Sequence, residues 1–246
     1  MFQLSVLILL VVVVVYTKPR AWSFEESTGP EYWGKLAASS AVCAKGKEQS
    51  PINIVSSQVI EEKRLGRKQI NYEPTMFTLH NNGHTIQANA TTENNRLVIE
   101  GKEYQLAQFH FHTPSEHQLN GHNYDIEIHL VHKDESGKLA VLGVMIQEGR
   151  ENEVLATVWD ILPNEESKKE VSEKYLIDLQ ALLPQNQTSF HYDGSLTTPP
   201  CTEEVKWIVF EQPIEMSKEQ IKAFQQIFIN NHRPIQPLNE REIIKE

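Results

Sequence analysis

The middle of the chain consists of short segments in which apolar residues alternate with polar ones or run together, each bounded by turn residues. Such segments are typical of β-strands that bury one or both faces. They predict strands over residues 76–81, 85–90, 96–100, 104–113, 124–132 and 139–147. The turn signals between them include Asn82–Gly83, Asn120–Gly121 and Ser136–Gly137.

Two helical patterns accompany these strands. The first covers residues 151–162 and aligns the apolar side chains of Val154, Leu155, Val158 and Ile161 or Leu162. The second begins at a capping box of Ser217 and Gln220 and aligns Ile221, Phe224 and Phe228. Because several strands follow one another with few helices between them, the pattern predicts one predominantly β domain with a mainly antiparallel sheet.

The composition limits what this domain does. The chain has 246 residues, 39% of them hydrophobic, which is enough for one sizeable core. Its formal net charge of −10 argues against nucleic-acid binding, because phosphate backbones are bound by cationic surfaces. We therefore expect no nucleic-acid partner.

The first residues have the pattern of a secretory signal. Residues 4–16 are almost entirely apolar, and the charged residues Lys18 and Arg20 follow the run. Its length matches the apolar core of a signal peptide and is too short to span a bilayer. The pattern therefore predicts export.

We predict that residues 1–21 are the signal peptide, cleaved after Thr17 or Ala21, and that residues 22–246 form the mature domain. The protein would then be secreted, to the periplasm or the extracellular space. No Lys or Arg precedes the apolar run and no A-x-A cleavage site follows it. An uncleaved anchor is therefore the alternative, and only in that case do we expect attachment to a membrane.

Export gives the two cysteines a meaning. Cys43 and Cys201 are the only pair in the chain, and exported proteins fold in an oxidising compartment. A disulfide between them would close a loop of more than 150 residues. In the chain-entropy model such a loop stabilises the fold by roughly 5 kcal/mol. Two buried free thiols are the alternative.

The most informative chemistry lies at the end of the predicted strand 104–113. Side chains alternate faces along a strand, so His110 and His112 point one way. Phe109 and Phe111 then point to the opposite face. Two imidazoles on one face, separated by one residue, can share a metal ion.

A tight turn at residues 120–121 would return the chain antiparallel through the strand 124–132. In that strand Glu127 and His129 share a face, so His129 would supply a third nitrogen. Three neutral imidazoles suit catalytic zinc, which keeps its fourth position for water and lowers the pKa of that water to about 7. Gln108 and Glu127 are on the right faces to hold the outer N–H groups of the imidazoles.

Other interpretations of these histidines exist. A His-x-His pair on a strand is by itself a weak signal, and isolated pairs are often surface or core residues. Six of the ten histidines lie between His110 and His132, so a metal-buffering patch is a further alternative. The third histidine with its flanking carboxylate favours the zinc site.

These segments resemble the active-site strands of the alpha-class carbonic anhydrases, in particular secreted members of bacterial type. The likeness is carried there by residues 108–112, 115–117 and 127–132, and elsewhere by residues 29–33, 49–54, 81–84, 192–200 and 231–237. It covers nearly all of the predicted mature domain, with the motifs in family order. It implies a twisted, mainly antiparallel central sheet with peripheral helices. It also implies reversible hydration of carbon dioxide to bicarbonate and a proton by zinc-bound hydroxide.

The resemblance assigns roles to individual residues. It implies that Zn²⁺ is bound by His110, His112 and His129. Thr197 would accept a hydrogen bond from the hydroxide and donate one to Glu116, which as an ionised carboxylate only accepts. Bicarbonate would be held with the help of Thr198. The apolar wall that holds carbon dioxide would consist of Val131, Val141, Leu196 and Trp207.

Further roles concern proton export and the cysteines. His84 would relay protons to solvent, since imidazole titrates near neutral pH. Asn82 and Gln87 would order water in the cavity. Cys43 and Cys201 match a disulfide of extracellular members of the family. The remaining histidines are interpreted as structural or surface residues: His80, His117, His122, His132, His191 and His232.

One position departs from the family. Phe24 stands where the family usually has a tyrosine near Trp22, which removes a hydroxyl expected to order the waters that carry protons. This change puts the efficiency of proton transfer in doubt, but not the hydration step.

Three functions compete at this point. The leading one is carbon dioxide hydration, with a small-molecule substrate and a monomer or homodimer as the active form. The alternatives are a catalytically silent binding module of the same fold, and a zinc-dependent esterase. A metalloprotease is disfavoured because its His-Glu-x-x-His motif is absent. Asn89 and Asn186 begin glycosylation sequons, which matter only in a host that glycosylates exported proteins.

Overall fold

The computed structural model describes residues 21–61, 68–160, 162–163, 165–166 and 174–246. The predicted signal peptide lies outside this part of the chain, except for its last residue. Within the described residues, none of the helices combines the length and the apolar character that crossing a membrane requires.

The described residues contain fifteen strands, most of which join one large sheet. The first eight are β1 Asn53–Ile54, β2 Ile60–Glu61, β3 Gln69–Asn71, β4 Thr75–Asn81, β5 Ile86–Ala90, β6 Arg96–Ile99, β7 Lys102–His112 and β8 Gln118–Leu119. The others are β9 Ile126–Lys133, β10 Leu139–Glu148, β11 Lys174–Ile177, β12 Ser189–Ser195, β13 Glu203–Phe210, β14 Ile214–Met216 and β15 Ile244–Lys245.

The strands of the large sheet lie in the order β11-β4-β5-β7-β9-β10-β13-β12-β15-β2. Neighbours from β11 to β10 pair antiparallel, as the sequence pattern predicts. The pairing of β10 with β13 is parallel, and so are those of β10 with β14 and of β15 with β2. The sheet is therefore mixed, and mainly antiparallel.

All six predicted strands are present, with ends that differ by no more than two residues. The tight turn also forms: Asn120 and Gly121 both have positive φ, and Leu119 bridges to His122. This turn closes a small ribbon of its own, however. It lies within a longer connection between β7 and β9, whereas the sequence pattern predicted that it would join these two strands directly.

Four short helices flank the sheet within the described chain: α1 Trp33–Leu36, α2 Val42–Lys45, α3 Glu153–Trp159 and α4 Lys218–Ile227. The predicted capping box at Ser217 and Gln220 begins α4. The helix predicted over 151–162 is shorter than expected. It starts after Asn152, whose side chain accepts a hydrogen bond from the Leu155 amide, and it ends at Trp159. Of its expected apolar face, Ile161 lies outside the described residues.

Alternation along the central strands separates two apolar cores. On one face, Phe109, Phe111 and Leu130 are buried with the inner sides of α3 and α4. On the other face, Val131 and Val141 are buried with the N-terminal segment of the domain. The predicted histidines point to this second face, and the first core holds the strands that carry them in place.

A disulfide joins Cys43 to Cys201, as the resemblance implied. It links α2 to the loop before β13 across 158 residues. Trp33 is fully buried against it, with Trp22 and Phe24 packed alongside. The disulfide therefore ties the N-terminal aromatic cluster to the loop that contains Thr197.

Candidate active site

The three predicted ligand histidines meet on adjacent strands. His110 and His112 lie on β7, and His129 lies on β9 directly opposite His110 in the antiparallel register. The ring centroids are 5.0 Å apart for His110 and His112, 5.3 Å for His110 and His129, and 4.6 Å for His112 and His129. One ring nitrogen from each lies within 4.8 Å of the others. Strand register alone brings the three imidazoles together.

Each imidazole has an acceptor for one of its nitrogens. His110 Nδ1 donates to Gln108 Oε1 at 2.8 Å, and His129 Nε2 donates to Glu127 Oε1 at 2.9 Å. The backbone oxygen of Asn231 accepts from His112 Nδ1 at 2.7 Å. These bonds leave His110 Nε2, His112 Nε2 and His129 Nδ1 as the nitrogens with free lone pairs.

The free nitrogen of His112 tests whether a metal fits. His112 Nε2 is buried and has no hydrogen-bond partner among the described residues. A buried polar atom without a partner is costly, and a cation held by the three nitrogens would satisfy it. Burial lowers the pKa of His112 to about 4 and also lowers the pKa values of His110 and His129. The imidazoles are therefore neutral at pH 7, in the form that binds metals.

Glu127 holds two imidazoles in place, those of His117 and of the candidate ligand His129. Burial favours its protonation, but His117 and His129 hold the pKa of this carboxyl well below its usual range. Its Oε2 accepts from the backbone amides of Glu116 and His117, both at 2.8 Å. Gly143 faces His129 across the β9–β10 pair, and its lack of a side chain leaves room for the carboxylate. A Cβ at this position would lie 3.0 Å from Glu127 Oε1.

A buried polar chain extends from this carboxylate. His117 Nδ1 lies 2.7 Å from Glu127 Oε1, and His117 Nε2 lies 2.6 Å from the Tyr192 hydroxyl. Tyr192 in turn contacts Ser50 Oγ at 2.8 Å, which accepts from the Ser195 amide at 3.0 Å. His117 thus links His129, through Glu127, to the start of the Thr197 loop, and its interpretation as a structural residue stays a prediction.

Glu116 and Thr197 are close neighbours beside the histidines. Both are buried, and Glu116 Oε1 accepts from the Arg233 amide at 2.8 Å. Burial raises the pKa of Glu116 to about 7, against the effects of His129, the Thr197 hydroxyl and the Arg233 amide. The hydroxyl is near enough to favour the ionised carboxylate, although Glu116 Oε2 has no hydrogen bond of standard geometry among the described residues.

The predicted apolar wall is assembled across three strands. Val131 faces Val141 in the β9–β10 pair, and Val141 faces Trp207 in the β10–β13 pair. The Trp207 ring lies 4.8 Å from the His129 ring, and Leu196 packs against the same cluster. Thr198, half-buried, follows Thr197 in the adjoining loop, where its carbonyl accepts from the Cys201 amide at 2.8 Å.

His84 lies on the turn between β4 and β5, which we call the rim of the site, and it is half-buried. Its ring stacks on Trp22 with the centroids 3.7 Å apart, and Phe24 lies 6.3 Å from His84 and 6.5 Å from His112. Asn82 accepts from the His84 and Thr85 amides with its side-chain oxygen, at 2.9 Å each. Asn82 thus holds the turn, and its expected role in ordering water stays a prediction.

Gln87 lies beside His110, one of the candidate ligands. It faces His110 in the β5–β7 pair, and its side chain donates to Asn89 Oδ1 at 2.6 Å. Its expected role in ordering water also stays a prediction.

Two residues that support the site were missed by sequence reasoning. Asn231 accepts from Thr113 and donates to the carbonyls of His84 and Phe111, besides accepting from His112. Arg233, 2% exposed, binds Glu116 through its amide and the segment around Gln49 and Cys43 through its guanidinium. Both lie in the segment 231–237, whose likeness to the family was the only signal for them.

Comparisons with known proteins agree with this geometry. A family model described as eukaryotic-type carbonic anhydrase matches residues 28–246. A carbonic anhydrase of Nostoc sp. is 41% identical over 226 residues, which cover 91% of this chain and 85% of that protein. The alpha-carbonic anhydrase of Thermovibrio ammonificans, solved with the inhibitor sulfanilamide, matches at a TM-score of 0.87 and 42% identity, covering 91% of this chain and 98% of that one. Dioscorin DB3L of Dioscorea polystachya is 36% identical, over 87% of this chain and 81% of that protein.

Proposed function

This chain belongs to the eukaryotic-type carbonic anhydrase family and is an enzyme of that family, and we propose that it hydrates carbon dioxide reversibly at a single zinc ion. The observation that carries the zinc assignment is the convergence of three neutral imidazoles, two buried and that of His110 partly buried, whose outer nitrogens all donate to fixed acceptors. The substrates are small: carbon dioxide in one direction and bicarbonate in the other.

The zinc ligands would be His110 Nε2, His112 Nε2 and His129 Nδ1. A set of three imidazoles without a thiolate leaves a coordination position open, as catalytic zinc sites do. When bound, zinc lowers the pKa of coordinated water to about 7, as is established for carbonic anhydrases, and so makes hydroxide available at neutral pH.

The role of Thr197 would be to orient the attacking oxygen. A hydroxyl can donate one hydrogen bond and accept others, whereas an ionised carboxylate only accepts. When Glu116 is ionised, the Thr197 proton would therefore point to it, while the other carboxylate oxygen is held by the Arg233 amide. Thr197 is then left to accept a hydrogen bond from the nucleophile, which aims a lone pair at carbon dioxide. Thr198, next in the loop, would help hold bicarbonate.

Carbon dioxide would lie against Val131, Val141, Leu196 and Trp207. This wall is apolar and borders the ring of His129. Carbon dioxide has no net dipole and forms weak hydrogen bonds, so an apolar surface binds it while leaving the nucleophile free. The same surface keeps bulk water from competing for the space.

His84 would export the proton. Its ring is half-exposed, and among the described residues no hydrogen bond fixes its nitrogens, so it is free to exchange protons with water. Phe24 lies near both His84 and His112 and has no hydroxyl to order water there.

The alternatives are weaker. A silent binding module of this fold is suggested by the likeness to dioscorin, but all three candidate ligands are present here with their hydrogen-bond partners. Ester hydrolysis would use the same site as a side activity.

The mature domain would be residues 22–246, released outside the cytoplasm after removal of residues 1–21. The Cys43–Cys201 disulfide supports an oxidising compartment. The active form would be a monomer or a homodimer, with membrane attachment only if the N-terminal segment is retained.

Stopped-flow carbon dioxide hydration tests the proposal. The purified protein should contain one zinc per chain, lose activity when dialysed against a chelator and regain it when zinc is returned. Ester hydrolysis measured in parallel should be far slower. A zinc-free protein without hydration activity, even after zinc is added, would favour the binding module; fast ester hydrolysis without hydration would favour the esterase.

A further inference from the structure

The turn that carries His84 has a carboxylate packed on it. Gly83, with a φ of +83°, presents its Cα to Glu166: a Cβ on Gly83 would lie 3.1 Å from Glu166 Cδ. The chain near Glu166 is tied to the same turn, since the Asn81 side chain donates to the Pro163 carbonyl at 2.8 Å. Glu166 is exposed. Its charge is thus held next to the residue that precedes His84.

The other groups that face His84 are uncharged. The N-terminal segment contributes the rings of Trp22 and Phe24, and the C-terminal loop contributes the side-chain amide of Asn231, which donates to the His84 carbonyl. Burial lowers the pKa of His84, and the carboxylate of Glu166 opposes this effect. Among the described residues, Glu166 is therefore the charged group that acts on the titration of His84.

We propose that Glu166 is a positioning residue for proton export: its carboxylate stabilises the imidazolium form of His84 while the proton is in transit. This inference rests on the proposed role of His84. A neutral His84 accepts a proton from cavity water on one ring nitrogen and releases a proton to a buffer base or to bulk water. A carboxylate packed on the neighbouring Gly83 makes the first step more favourable, because opposite charges attract. Without it, burial of the ring favours the neutral form.

Histidine NMR titration of the zinc-loaded protein measures the electrostatic part directly. His84→Ala identifies the His84 signal. In Glu166→Gln the pKa of His84 should fall by about half a unit, and in Glu166→Lys by about one unit, since reversing a charge doubles the change. Salt at 0.5 M should shrink both shifts, because exposed charges are screened. Glu165→Gln, a change in the adjacent exposed carboxylate, is the matched control and should leave His84 unchanged.

Kinetics at low buffer concentration measure the functional part. The Glu166→Lys change should lower kcat by about twofold, with kcat/KM near that of the unchanged protein, because proton transfer follows the pKa of the acceptor. The proposed role of Glu166 is overturned if the His84 titration is unchanged in both Glu166 variants, or if it shifts equally in Glu165→Gln. Either result leaves the proposed role of His84 in proton export untouched. In another outcome, the His84 titration shifts in Glu166→Lys, but kcat is unaltered in both Glu166→Lys and His84→Ala. That result overturns the role of His84 in proton export, and the role of Glu166 with it.

Discussion

Two parts of the candidate site hold their histidines in opposite ways: the floor, formed by His110, His112 and His129, and the rim, formed by the turn that carries His84. At the floor, His112 and His129 are each 1% exposed, and both rings donate to a fixed acceptor. At the rim, His84 is half-buried on a turn and its ring stacks on Trp22, and its hydrogen bonds to described residues are made by its backbone. The floor fixes ring nitrogens in space, whereas the rim leaves them free.

This difference matches the two tasks that we propose. A metal ligand must keep one tautomer and one orientation, which a hydrogen bond to its outer nitrogen enforces. A proton relay must accept on one side and release on the other, so a hydrogen bond that locks its tautomer would hinder it. Changes at the floor should therefore cost metal and chemistry, and changes at the rim should cost only proton transfer.

The largest effect is expected from His129→Ala. Removing one of three ligands should lose most of the zinc and lower carbon dioxide hydration by at least about a thousandfold, because water is no longer activated. Zinc content by mass spectrometry and stopped-flow rates measure this. His122→Ala, in the exposed turn after β8, is the matched control. Full zinc and near-normal turnover in His129→Ala would show that the ligand assignment is wrong.

The next largest effect concerns Thr197 and Glu116. Thr197→Ala should lower kcat/KM for carbon dioxide by tens to hundreds of times, on the order of 2–3 kcal/mol of transition-state stabilisation. Zinc content should stay full, since Thr197 is not a ligand. Glu116→Ala on top should add little, because coupled residues are not additive. Losses that multiply would contradict the proposed hydrogen-bond unit.

A change at Gln108 tests whether hydrogen bonds to the outer nitrogens of the imidazoles hold the floor histidines in place for the metal. Gln108→Ala removes the acceptor of His110 Nδ1 and should weaken zinc binding by about tenfold or more. Competition with a chelator measures the affinity. Gln108→Glu keeps an acceptor and should retain most of it, so it is the conservative control. Equal affinities in all three proteins would mean that strand geometry alone positions His110.

Much of the floor could be predicted from the sequence because it depends on local rules. Alternation placed His110 and His112 on one face, and the antiparallel return of β9 brought His129 opposite them, as the register shows. The partners Gln108 and Glu127 followed from the same period of two. The turn at Asn120 was found, but not that it belongs to a separate ribbon.

The remainder depends on contacts between distant parts of the chain. Asn231 reaches His112 across 119 residues, and Arg233 reaches Glu116 across 117, which no local pattern encodes. The parallel pairing of β10 with β13 is likewise set by tertiary packing. The Thr197 loop and the rim residue His84 were found only through likeness to a family, whereas the disulfide also followed from the single cysteine pair and the predicted export.

At the rim, His84→Ala should lower kcat several-fold at low buffer concentration and leave kcat/KM nearly unchanged. Hydration chemistry occurs at the floor, and only the return of the proton to solvent depends on the relay. Imidazole-type buffers in excess should restore kcat, since a diffusing base replaces the missing one. Identical kcat values for the two proteins at every buffer concentration would show that protons leave by another route.

The smallest effect, and the sharpest test of the rim, is Phe24→Tyr. The Phe24 ring lies 6.3 Å from that of His84 and 6.5 Å from that of His112, so a hydroxyl added there would lie near the path that we propose for protons. It should order water and raise kcat at low buffer concentration by about twofold or less, with kcat/KM unchanged, because proton transfer is the step affected. The gain must disappear in a protein that also carries His84→Ala, because ordered water is useful only if it leads to the relay. A gain that persists without His84 would mean that the hydroxyl acts on the floor, and the division between floor and rim would then be wrong at this position.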